Sequence, residues 1–120
     1  MMKAILLAAG YGTRLYPITQ ILPKALIEIN GKPIIQHIVD SIKKIPDVDR
    51  IYIISNAKFY GKFLEWKEEW SKTNKIKVKK VKILNDGTYS ESERLGALGD
   101  LEFVIKNENI DDNILVIHTD

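Results

Sequence analysis

The sequence predicts an α/β fold built on a mostly parallel sheet, and three observations predict it. Short apolar runs of strand length recur along the chain, at Lys3–Leu7, Ile51–Ile54 and Ile114–Ile117. Between them lie segments whose apolar residues fall at three- and four-residue spacing, the mark of a helix with one covered face. The two kinds alternate as strand, helix, strand, helix, strand, helix, strand, which is the order of an α/β layer fold. The 120 residues read as a single domain over 1–120, with no repeat, low-complexity tract or linker.

Each element has its own reason. Lys3–Leu7 is stopped by small residues and glycines. Ala8–Lys24 is a loop, punctuated by Gly10, Gly12, Pro17 and Pro23. Ile27–Ile29 is a brief extended piece before a turn at Asn30-Gly31. Pro33–Ile45 is predicted as a helix: Pro33 suits the first turn, and Ile34, Ile35, Ile38, Val39, Ile42 and Ile45 form a stripe that Pro46 ends. Lys58–Thr73 is the second helix, with Phe59, Phe63, Trp66 and Trp70 on one face, read as core. Ile76–Leu84 is a strand in which lysines alternate with Ile76 and Val78, then with Val81 and Ile83. Arg94–Asn107 is the third helix. Asp111-Asp112 reads as a solvated turn.

Composition bounds the function. Hydrophobic residues make up 45% and charged residues 28%, the balance of a soluble globular chain. The net charge of +2 is too small to argue for nucleic acid. The six lysines between Lys72 and Lys82 have no aromatic residues among them, so they read as a solvated face and not as a nucleic-acid groove. The absence of cysteine excludes disulfides, thiolate metal sites and a cysteine nucleophile. No apolar run approaches the ~20 residues needed to cross a bilayer, and the N-terminal run reads as a buried strand, so no membrane partner is expected and a cytoplasmic location is. His37 and His118, the two histidines, read as structural.

In such sheets ligands bind at the carboxyl ends of the strands. There the chain carries Leu7-Ala8-Ala9-Gly10-Tyr11-Gly12-Thr13-Arg14-Leu15, then Pro23-Lys24. Small residues let backbone N–H groups approach a ligand, because no Cβ stands in the way. Thr13 adds a hydroxyl donor, Arg14 a planar fork for phosphate oxygens, and Lys24 a compact point charge. Together they suit a polyphosphate. A P-loop would need Gly-Lys-Ser/Thr, which is absent. A dinucleotide fingerprint would need a third glycine where Leu15 stands, and Pro17 disfavours the helix that should follow. A Gly-x-Gly pair alone would be a mere turn; Arg14 and Lys24 in the same loop argue for more.

With Gly31-Lys32-Pro33 downstream, the Leu-Ala-Ala-Gly-x-Gly-Thr-Arg-Leu and Pro-Lys segments resemble the N-terminal signature of the sugar-1-phosphate nucleotidylyltransferases. The resemblance is tight to about Asn56. It implies a Rossmann-like three-layer fold, with this chain as an incomplete, N-terminal part of the domain. It implies the reaction of an NTP with a sugar 1-phosphate to give an NDP-sugar and pyrophosphate. By the same match, Leu7, Ala8, Ala9, Gly10, Gly12 and Thr13 would wrap the nucleotide. Arg14 would hold the phosphates that leave, and Lys24 the α-phosphate and the attacking phosphate.

Arg94–Leu101 is similar to the family's segment beside the base, which would set Gly96 against the base and Asn85 at its edge. Ala97 and Leu98 depart from that pattern, and Asp86–Glu93 reads as a polar insertion. Ile114–Asp120 is similar to the strand before the family's metal-binding aspartate. That implies Asp120 as a ligand of Mg2+, although Thr119 stands where the family commonly has glycine. The implied partners are an NTP and a sugar phosphate, with a homo-oligomer compatible. Two alternatives stay open: a non-catalytic nucleotidyltransferase-like binding domain, and cytidylyl transfer to a non-sugar alcohol phosphate.

Overall fold

A computed structural model of the chain describes residues 1–11, 16–73 and 80–119. Its centre is a four-stranded, wholly parallel sheet in the order β5-β4-β1-β6. The strands are β1 (Met2–Leu7), β4 (Val48–Ser55), β5 (Lys80–Asn85) and β6 (Asn113–His118). Helices α1 (Ile34–Ile42), α2 (Tyr60–Thr73) and α3 (Gly96–Asn107) make the crossovers. A two-residue pair of strands, β2 (Glu28–Ile29) and β3 (Lys32–Pro33), precedes α1.

β1 is the central strand, with Leu6 beside Ile53 of β4 on one side and Ile117 of β6 on the other. Its run Ala4-Ile5-Leu6-Leu7 has no polar alternation because both faces are covered. Ala4 and Leu6 face the layer of α1 and α2, packed with Ile51, Ile53, Val81 and Ile83. Ile5 and Leu7 face α3, packed with Tyr52, Ile54, Leu84 and Val104. The result is the three-layer α/β architecture that the sequence predicts.

The first two helices bury most of the stripes read from their spacing, while Ile45 of the first stripe lies beyond the helix and is exposed. α1 covers Ile35, Val39 and Ile42. The α2 layer buries Phe59, Phe63, Trp66 and Trp70 as core. The Trp66 and Trp70 rings stack with centroids 5.7 Å apart, and Trp66 Nε1 donates to Gln36 Oε1 at 3.1 Å, tying α2 to α1. The turn between β2 and β3 has Asn30 at φ 53° and Gly31 at φ 85°. Two successive left-handed residues suit a tight hairpin turn, and Asn-Gly adopts them at least cost. His37 Nε2 sits 2.6 Å from the Ile29 carbonyl, the structural role expected of it.

Some boundaries differ from the sequence reading. α1 begins at Ile34 and ends at Ile42, because Pro33 is extended (ψ 149°) and pairs in β3. β4 is longer than Ile51–Ile54, since parallel pairing with β1 and β5 carries it to Ser55. Residues 76–79 of the lysine-rich strand lie outside the described residues. Asp112 is not merely solvated: Lys3 Nζ bridges it and Asp49, each at 2.7 Å. Lys82 is exposed, as expected of the lysine face, and pairs with Glu108 at 2.9 Å. No helix among the described residues is long and apolar enough to cross a membrane.

Phe63 is 0% exposed, at the centre of the α2 layer. Phe63→Ala is expected to cost about 3–5 kcal/mol of unfolding free energy through the cavity it leaves. Urea unfolding checks this, and a loss below about 1 kcal/mol would contradict the packing described.

Candidate functional site

Sheet order places a crevice. From β1 the chain moves through α1 to β4 and through α2 to β5, stepping towards one edge. It then returns through α3 to β6 on the other side of β1. The direction of winding therefore reverses between β1 and β6, and at the carboxyl ends of strands at such a point parallel sheets leave room for a ligand. A cavity of about 210 Å³ lies there. Leu7, Ala8, Ala9 and Gly10 line it from β1, and His118 and Thr119 from β6. Lys24 and Ala25 close one side, and Arg94, Gly96, Ala97 and Asp100 the other.

The strand end is held by bonds from three neighbours. Ala8 N–H donates to the Ile54 carbonyl at 2.9 Å. Thr119 Oγ1 donates to the Leu7 carbonyl at 2.9 Å, joined by its backbone N–H at 3.3 Å. Asn56, fully buried, donates from Nδ2 to the Ala9 carbonyl at 3.0 Å, while its Oδ1 accepts from Phe59 N–H at 2.9 Å. Thr119 thus does work that a glycine could not, which explains its departure from the family pattern in physical terms. Gly96 adopts φ 78° at the start of α3, a conformation that costs any residue with a Cβ.

Two cations line the cavity from opposite sides: Lys24, half-buried beside the small-residue strand end, and Arg94. Lys24 is ion-paired to no carboxylate among the described residues. Arg94 stands 3.7 Å from Glu91, with both side chains exposed. Such a pair contributes little and leaves the guanidinium available.

The same wall also carries a carboxyl group, on α3 beside Arg94. Asp100 is 6% exposed. Burial first, then the hydrogen bond and negative charge of Asp86 beside it, push its carboxyl up to about 8. Asp86 Oδ1 accepts from Thr88 N–H at 2.9 Å and from Thr88 Oγ1 at 2.8 Å. The Tyr11 hydroxyl donates to the Thr88 carbonyl at 2.9 Å. Burial, opposed by the contact of the phenol with the Thr88 side-chain Oγ1 at 3.3 Å and helped by the charges of Asp86 and Glu93, raises the Tyr11 phenol.

A parallel sheet with helices on both faces, and a crevice walled by a small-residue strand end and by a lysine and an arginine side chain at its switch point, defines an α/β protein of the doubly wound class. The profile of the nucleotidyl transferase family matches residues 3–120, and the chain belongs to that family. The chain is 30% identical over 111 residues to the mannose-1-phosphate guanyltransferase of Gibberella zeae, covering 91% of this chain and 30% of that protein. It is 53% identical over 53 residues to the bifunctional protein GlmU of Methanococcus maripaludis, covering 44% of this chain and 12% of that protein. Among solved structures it is similar to the CTP:phosphocholine cytidylyltransferase LicC of Streptococcus pneumoniae, with a TM-score of 0.72 and 30% identity. That match covers 99% of this chain and 45% of the other. The chain therefore spans less than half the length of these relatives.

Of the residues singled out in the sequence, Leu7, Ala8, Ala9, Gly10, Lys24 and Gly96 meet at one cavity. Asn85 is not in its lining: its Oδ1 accepts from Gly87 N–H at 2.8 Å, shaping the turn after β5. Gly12, Thr13, Arg14 and Asp120 lie outside the described residues. The segment after Asn85 is not a solvated insertion throughout, because Thr88 is buried and binds Tyr11. Leu98 is 82% exposed and turned from the cavity that Ala97 lines.

Sequence reasoning missed Asp100, Asn56 and the Tyr11–Thr88 contact. One signal was available for Asp100. It falls on the inward stripe of α3 between Gly96 and Val104, and a carboxylate on a buried stripe needs a partner or a proton.

The Asp100 carboxyl gives a pH prediction. Its folded value of about 8 lies above the ordinary 3.8, so between these limits the folded chain holds a proton that the unfolded chain has lost. Stability therefore falls as pH rises through that window, by at most about 1.4 kcal/mol per pH unit. Asp100→Asn has no such proton. Between about pH 5 and about pH 8 its unfolding free energy is expected to gain on the wild type. Denaturant titrations across that range check this, and parallel curves would contradict it.

Proposed function

We propose that this chain binds a nucleoside triphosphate and forms the nucleotide-binding part of an enzyme transferring its nucleotidyl group to a sugar 1-phosphate, releasing pyrophosphate. One observation carries the reading: Lys24, the small-residue end of β1 and Gly96 share one cavity at the sheet's switch point. Family membership and the mannose-1-phosphate guanyltransferase relative support the reaction class. Domain 1–120 is on this reading the N-terminal part of the catalytic domain.

In the proposed roles, the backbone of Leu7–Gly10 with Gly12 and Thr13 cradles the nucleotide, and Gly96 lets the base lie against α3. Arg14 holds the departing phosphates. Lys24 holds the α-phosphate and the incoming phosphate oxygen, aligning attack and stabilising charge as it shifts. Asn85, at the end of β5, is proposed to reach the base edge by releasing Gly87 N–H.

Mg2+ is part of the proposal. The wall residue Thr119 immediately precedes Asp120 in sequence, and a carboxylate there is a hard oxygen donor suited to Mg2+ beside a triphosphate. The bound ion would supply neutralisation of phosphate charge.

A second reading concerns the acceptor alone. The CTP:phosphocholine cytidylyltransferase LicC matches 99% of this chain, so an alcohol phosphate is an alternative acceptor.

Melting of the chain with ATP, GTP, CTP, UTP or dTTP and Mg2+ tests nucleotide binding. At least one should raise the midpoint, since a ligand at about 100 times its Kd adds about 2.7 kcal/mol. Lys24→Ala should melt like the wild type when free, yet bind that nucleotide at least about tenfold more weakly, about 1.4 kcal/mol. The reading fails if no triphosphate shifts the midpoint or if Lys24→Ala binds normally. Adding sugar 1-phosphates or phosphocholine to the nucleotide complex then separates the two acceptors.

A further inference from the structure

Beside the cavity lie two carboxyl groups that the proposed transfer does not use. Asp86 follows β5 and Asp100 stands in α3, one turn beyond Gly96. Asp86 Oδ2 and Asp100 Oδ1 are both buried without a donor from the described residues, and the two carboxyls lie near enough for the charge of Asp86 to raise the Asp100 carboxyl. Two bare carboxylates in that position would repel each other with those lone pairs unmet. A single proton between them removes one charge and provides the missing donor.

Contacts around Thr88 connect the pair to two further strand ends, those of β1 and β4. Thr88 gives both its donors to Asp86. Its carbonyl accepts from the Tyr11 hydroxyl at 2.9 Å in the loop after β1, and from Ala57 N–H at 2.8 Å after β4. Asp86 N–H in turn donates to the Ser55 carbonyl at 2.8 Å. β1 and β5 are not neighbours in the sheet, so this chain of contacts joins loops that strand pairing leaves apart.

We propose that Asp86 and Asp100 form a proton-sharing clasp whose closure, relayed by Thr88 and Tyr11, positions the loop after β1 and the first turn of α3 around the cavity. Both are positioning residues. Tyr11 is the residue next to Gly10 of the cavity wall, and Gly96 and Ala97 stand on the turn that bears Asp100.

Loss of the shared proton opens the clasp by repulsion, and the raised Asp100 carboxyl puts that loss above neutral pH. Among the described residues, the charged or titratable groups around the pair are Tyr11 after β1, Glu93 and Arg94 ahead of α3, and Lys24 and His118 on the cavity wall. The faces of β1 and β4 that α3 packs on are apolar. Of all these, burial and Asp86 are what hold the proton on Asp100. The link to nucleotide binding rests on the function proposed above; the clasp itself does not.

Amide hydrogen exchange of the free chain, read by mass spectrometry against the intrinsic rate at each pH, tests the clasp. In the wild type, protection of residues 8–11 and 86–89 should fall about tenfold between about pH 7 and about pH 9. Asp100→Asn, whose amide can donate to Asp86 without a proton to lose, should keep its protection in both segments. Tyr11→Phe should keep the step in 86–89 and lose it in 8–11, which tests the relay even if Asp100→Asn does not fold. A wild type without the step overturns the clasp, as does an equal step in a folded Asp100→Asn or in both segments of Tyr11→Phe. An intact step in a chain that binds no triphosphate sinks the proposed function and leaves the clasp standing.

Discussion

Parallel pairing of β1 on both of its edges is the constraint on which the site depends. A strand with one free edge could shift where it leaves the sheet. β1 is fixed by β4 and β6 along its whole length, so its last residues emerge at a set height. The bonds from Thr119 to the Leu7 carbonyl and from Asn56 to the Ala9 carbonyl extend that constraint beyond the strand. The residues that line the cavity just beyond this exit, Ala8, Ala9 and Gly10, are small, and Leu7, Ala8 and Ala9 are buried.

Electrostatic balance around the cavity follows from the same geometry. Lys24 and Arg94 reach it from loops on either side, without strong counter-ions among the described residues. The acidic group on its wall, Asp100, is kept from competing for them by burial and by Asp86. A cavity meant for phosphate would be weakened by a bare carboxylate in its wall. Protonation removes that conflict, and the hydrogen bonds of Thr88 and Tyr11 use the same pair to brace the loops.

Much of this was legible along the chain. The fold class followed from alternation of apolar runs and stripes: α1 buries Ile35, Val39 and Ile42 of its stripe, and the α2 layer buries its aromatic face. The Asn30-Gly31 turn was legible because two left-handed residues need that chemistry. The cavity residues from β1, with Lys24 and Gly96, were found through a family signature, which carries information about a site that periodicity lacks. Asn85 shows where that information runs short: its side chain shapes a local turn, a role visible only once Gly87 is placed. The boundary of α1 was missed for a related reason, since Pro33 serves β3 before the helix begins.

The sequence by itself determined which segments are strands and helices, which face each one buries, and where small residues leave a strand end open. These are local properties, set by side-chain volume, backbone freedom and the period of the chain. Only the tertiary structure decided which polar groups meet: Tyr11 with Thr88 across 77 positions, Asn56 with Ala9 across 47, Thr119 with Leu7 across 112. Hydrogen bonds act over about 3 Å and leave no periodic trace in the chain. Such partners become known only when the sheet order has put their strand ends side by side.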